Sequence, residues 1–153
     1  MQNVLVIFQT TQQPTEGLAL AFGLGAVQAG ANIRLRHLDP SPATELAHVS
    51  YGILRPEDLH WAEGIGIILE SAYPKGLEEL SSVLKGSAAS SEAAHKWAYV
   101  FHADPSAESL RFIKDIVRAA HLQQFEDDNK RAATPEYMTH IGQQLASVLQ
   151  QNA

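Results

Sequence analysis

The chain contains no cysteine. That excludes disulfides, thiolate catalysis and cysteine-ligated zinc. Positive charge is scarce, with 11 Lys and Arg against 17 Asp and Glu and a formal net charge of −6. No run of basic residues stands out, so the clustered charge that phosphate backbones demand is missing and nucleic acid is not an expected partner. No apolar stretch reaches the roughly 18 residues of a membrane span. The N-terminus lacks a basic leader and a small-residue cleavage site, so it does not read as a signal peptide, and the expected location is the cytoplasm. The seven histidines show neither HxxxH nor HxH spacing, so no metal is expected. The GxGxxG fingerprint, the Walker loop and the G-x-S-x-G elbow are all absent.

What is present is a globular composition of ordinary single-domain size. The chain has 153 residues, 45% of them hydrophobic and 18% charged, enough to bury roughly two-thirds of the unfolded surface. Val4-Leu5-Val6-Ile7-Phe8 is a short apolar run suited to a strand buried on both faces. Leu18, Ala21, Phe22, Gly25 and Ala29 then recur at helical spacing, and Gly30 is a natural stop. Ile33 to Leu38 alternates apolar and basic residues, as a strand nearer the sheet edge does. A short helix is predicted from Pro56. Buried strands follow at Ile65–Leu69 and Trp97–Phe101, with a helix between them that stops at Gly86 and a loop from Ser87 to Ala94. Asp104-Pro105 predicts a helix start. Leu122–Phe125 is a weak last strand, and Thr134-Pro135-Glu136 opens a final helix striped by Tyr137, Ile141, Leu145, Val148 and Leu149. Alternating strands and helices predict an α/β domain, a five-stranded parallel sheet of order 2-1-3-4-5 with helices on both faces. Tyr137 and Met138 are candidates either for the core or for a homodimer contact.

In such sheets ligands bind beyond the carboxyl ends of the strands. Three loops lie there. The first carries Thr10, Thr11 and Thr15 just before a helix, where unpaired N–H groups attract phosphate; Thr15 also suits a simple helix cap. The second, Glu70 to Gly76, offers Tyr73 for ring stacking and Lys75 for an anion, or else a turn in which Tyr73 covers the sheet end. The third holds His102, an acid–base candidate that a backbone hydrogen bond would explain equally well. Trp61 and Trp97 read as core or cover aromatics. Glu126-Asp127-Asp128 reads as a solvated turn.

Val4 to Phe8 followed by Thr10 and Thr15-Glu16 resembles the start of the flavodoxin-like flavoproteins. Ala62-Glu63 leading to Ile67-Ile68-Leu69 and Ser71, and then Lys96 to Phe101, resemble the tryptophan-repressor-binding-protein type of NAD(P)H:quinone oxidoreductase. The resemblance implies a three-layer sandwich of the flavodoxin-like kind and a bound FMN. Its phosphate would lie on the positions matching Thr10, Thr11, Gln12, Gln13, Pro14 and Thr15. Its ring would lie by Ser71, Ala72 and Tyr73, with the third loop at His102, Ala103 and Asp104. The implied role is an electron carrier or a quinone or flavin reductase, with NAD(P)H or a redox protein as partner. Gln13 stands where the family usually has glycine, Ala72 where it has proline, and the third loop lacks the family's glycines. Those departures motivate the alternative of a flavin-free domain serving as a binding or interaction module.

Overall fold

The fold is seen in a computed structural model. It describes residues 2–9, 13–38, 52–69, 74–88, 96–102, 108–119, 122–125 and 134–151. The elements in chain order are β1 (Asn3–Gln9), α1 (Gln13–Gln28), β2 (Asn32–His37), β3 (Gly52–Ile53), α2 (Pro56–Trp61), β4 (Gly64–Leu69), α3 (Pro74–Ala88), β5 (Trp97–His102), α4 (Glu108–Ala119), β6 (Gln123–Gln124) and α5 (Pro135–Gln151). The sheet is parallel throughout, in the order β3-β2-β1-β4-β5-β6. The five expected strands keep the expected order. The sixth is Gly52–Ile53, which pairs with only Arg36 and His37. Gly52 is a poor strand former, so a five-strand expectation was all that the pattern supported.

The sheet separates two apolar layers, because successive strand side chains point to opposite faces. Leu5 and Ile7 of β1 join Ile65, Ile67 and Leu69 of β4 under α2, α3 and α4. Val4, Val6 and Phe8 face the other way, under α1 and α5. Both layers are tightly closed; Val4 to Ile7 and Ile67 to Leu69 are fully buried. Met138 is fully buried and Tyr137 packs on the same layer, so both complete the core. Trp61 and Trp97 pack against opposite layers as cover aromatics.

Glycine sets how closely α1 and α5 approach. An added Cβ at Gly25 would stand 1.9 Å from the Thr139 carbonyl oxygen. On β4, a Cβ at Gly66 would stand 2.5 Å from the Phe22 ring, so Phe22 lies flat on the bare strand and stacks with Tyr99 at 5.9 Å. The end of α1 is a Schellman turn: Gly30 has φ 94°, its N–H reaches the Val27 carbonyl at 2.9 Å, and the Ala31 N–H reaches that of Ala26 at 2.9 Å. This is the stop that Gly30 predicts.

Both boundaries of α3 differ from expectation. α3 starts at Pro74 and continues to Ala88. Gly86 therefore lies inside it, and the expected loop begins no earlier than residue 89. A Cβ at Gly86 would meet nothing, so the helix passes through it on an open face at a cost of about 1 kcal/mol. Thr134 caps α5 as expected, its hydroxyl oxygen accepting the Tyr137 N–H at 3.1 Å. The Asp104-Pro105 signal and the Glu126-Asp127-Asp128 segment lie outside the described residues; α4 is described from Glu108.

The short helix α2 is fixed at both ends. Pro56 opens it. Asp58, 3% exposed, accepts the Arg55 N–H at 3.0 Å, Arg34 Nη1 at 3.3 Å and Arg36 Nε at 3.1 Å. At the far end the buried Lys96 ammonium donates to the Leu59 carbonyl at 2.6 Å, and to those of Ala62 and His60. A cation on the last carbonyls of a helix satisfies acceptors that the helix cannot, and it complements the dipole.

Candidate functional site

The chain moves outward from β1 to β2 and β3, then returns to β4 on the other side of β1. The crevice where the order reverses therefore lies at the carboxyl ends of β1 and β4. Gln9, Leu69 and His102 stand in one row of the ladder there, all on the α2–α4 side of the sheet. Gln9 is 1% and His102 6% exposed. One row back, His37 pairs in register with Phe8 and meets its ring edge-on at 5.0 Å. These buried polar side chains form the floor of the edge.

Above β1 the start of α1 supplies the only long-helix N-terminus described at this crevice on the α1–α5 face. The helix begins at Gln13, three residues earlier than a Thr15 cap would have it. Thr15 is therefore inside the first turn and buried at 5%, and the cap reading of Thr15 is corrected. Pro14 is exposed. It suits a first turn because that N–H has no intrahelical acceptor, but it also removes one donor from the helix end. Glu16, at 2% exposure, brings a carboxylate into the same turn.

The other sequence-predicted positions divide clearly. Thr10, Thr11, Gln12, Glu70, Ser71, Ala72, Tyr73, Ala103 and Asp104 lie outside the described residues, as does the Gln13 side chain. His102 is the last residue of β5 rather than the first of the loop after it. Lys75 belongs to the first turn of α3, not to a loop. Gln9, Glu16 and His37 were not picked out as site residues. The available signal was register: Gln9 continues the Leu5–Ile7 face and His37 the Ile33–Leu35 face, so each carries a polar group to the carboxyl end of a buried row. Among the described residues no group of three or more His, Asp or Glu could hold a metal, and no helix is long and apolar enough to cross a membrane.

Solved structures share this fold. A diflavin flavoprotein from Nostoc superposes with a TM-score of 0.68 at 13% identity, covering 99% of this chain and 95% of that one. An archaeal flavodoxin gives 0.69 at 14% identity, covering 97% and 99%. The two-electron reduced flavodoxin of Megasphaera elsdenii gives 0.64 at 13% identity, covering 94% and 98%. The fold is flavodoxin-like. No protein-family model and no curated protein sequence matches the chain. At such identities the flavodoxin-like fold is what is shared, while the loops that a ligand would touch are free to differ.

Proposed function

We propose that this flavodoxin-like domain is an FMN-binding redox protein. The observation that carries the reading is the placement of the α1 N-terminus at the reversal point, with the Thr15 hydroxyl inside its first turn. Helix amides and a hydroxyl at that place suit a phosphate. Thr15 and the α1 amides would hold the FMN phosphate together with Thr10, Thr11, Gln12 and Gln13. Ser71, Ala72, Tyr73 and the segment from His102 to Asp104 would border the ring. FMN when bound supplies one- and two-electron transfer; the chain supplies position and electrostatics.

An electron carrier is favoured over a quinone or flavin reductase of the tryptophan-repressor-binding type. Flavodoxins are covered almost end to end by this chain, whereas a flavone reductase is covered over only 63% of its length. A carrier of this kind works with a redox protein in the cytoplasm, and a reductase would draw on NAD(P)H.

A second reading has its own support. Pro14 subtracts a donor from the helix end, and the buried Glu16 brings carboxyl oxygens, which are hydrogen-bond acceptors, into the same turn. Both oppose an anion, and both suit a flavin-free domain that binds a partner instead. The test is the visible spectrum of the purified protein after incubation with FMN and removal of free ligand. Retained absorbance near the flavin bands with stoichiometric FMN on denaturation supports the first reading; a colourless protein supports the second.

A further inference from the structure

We propose that the corner between β2 and α2 is an anion site for the phosphate ester of a small molecule, separate from the carboxyl-edge crevice. The sequence places arginine, not an apolar residue, at two successive inward positions of β2. Arg34 and Arg36 both lie on the α2 side of the sheet, because both reach Asp58. Arg55 stands at the start of α2, with its N–H on the same carboxylate. Two guanidiniums thus share one carboxylate, and a third arginine stands at the residue whose backbone N–H meets the same group.

Among the described residues the corner carries more positive charge than it neutralises. One buried carboxylate, Asp58, serves two guanidiniums; the exposed Glu57 is the other acid on that first turn. Arg34 donates only through Nη1, and Arg36 through Nε to Asp58 and through Nη1 to the Leu35 carbonyl. Among the described residues no acceptor is seen for Arg34 Nε and Nη2 or for Arg36 Nη2, and Arg55 is exposed. The side chains of Arg34 and Arg36 are 37% and 28% exposed.

The guanidiniums are also held in place. Arg34 lies 4.2 Å over the Trp61 ring, which fixes its plane, and its side chain remains 37% exposed, as a second flat ring on the guanidinium would need. Arg36 lies against Gly52 of the edge strand, where an added Cβ would make ordinary contact with its Nε and Nη1 at 3.5 Å. Planar forks fixed by a shared carboxylate, with donors left over, are preorganised for a phosphate, which accepts two parallel N–H bonds. A nucleotide would add its base to the Arg34 guanidinium.

Calorimetric titration of the full chain with inorganic pyrophosphate, and separately with ADP, at low ionic strength tests the assignment. Binding should weaken as salt rises. Arg55→Gln should lose at least about tenfold in affinity, the loss expected for one charge-assisted hydrogen bond, while its melting temperature stays close to that of the parent, since the residue is exposed. Arg36→Gln should lose as much. Saturation with FMN should leave both affinities unchanged, which separates this site from the crevice. Equal affinity for the two probes assigns the site to the anion alone; tighter ADP adds the base on Arg34. No binding of either probe at millimolar concentration, affinity unchanged in both variants, or displacement by FMN would overturn it.

Discussion

A methyl carbon placed on Gly142 of α5 would stand 2.0 Å from the carbonyl oxygen of Phe22 in α1. With the reciprocal contact of Gly25 on Thr139, the two helices touch backbone to backbone. Gly142→Ala must push them apart, because the obstacle is main chain and not a rotatable side chain. It should cost at least about 3 kcal/mol, at the upper end of overpacking effects. Thermal unfolding would show this as a fall of roughly 6–12 °C. Gly86→Ala, at a helix site with open space, should instead raise stability by up to about 1 kcal/mol.

Lys96 closes the C-terminal end of α2 from another element of the fold. Lys96→Met keeps the length and removes the donor to the Leu59, His60 and Ala62 carbonyls. Leaving such acceptors buried should cost about 2–4 kcal/mol in chemical denaturation. A loss under about 0.5 kcal/mol would show that water replaces the ammonium there.

Asp58→Asn keeps the shape and removes the charge that holds Arg34 and Arg36. Both arginines are partly in water, so the loss should be about 1–2 kcal/mol, not the larger figure for a fully buried pair. Urea unfolding in low and high salt checks it: the difference between parent and variant should shrink as salt rises.

Much of the fold was written in period and punctuation. Val4 to Phe8 announced a central strand because both its faces are buried, and Gly30 announced the end of α1 because the left-handed turn needs it. β3 was not legible: Gly52 is a poor strand former, and the strand pairs with only Arg36 and His37. The start of α1 was misplaced because Thr15 is a common cap residue, whereas the turn already open at Gln13 uses Pro14 as an early helical position. The location of the site was legible, because strand order alone puts it at the carboxyl edge. Its chemistry was less so: burial of Glu16 and His37 depends on packing between α1, β1 and β2, which no local pattern encodes.

If FMN phosphate sits on the α1 N-terminus, the donors there should govern affinity. Thr15→Val removes a hydroxyl at nearly constant volume and should weaken FMN about 10- to 100-fold, the value of a charge-assisted hydrogen bond of about 1.5–3 kcal/mol. Pro14→Ala restores an N–H to the helix end and should tighten FMN instead, by up to about tenfold.

The central claim is tested most directly by titrating the apoprotein, its Thr15→Val variant and its Pro14→Ala variant with FMN while following flavin fluorescence. The account predicts saturable quenching that weakens in Thr15→Val and strengthens in Pro14→Ala. No quenching of the parent at high micromolar FMN, or the same affinity in all three proteins, would contradict it.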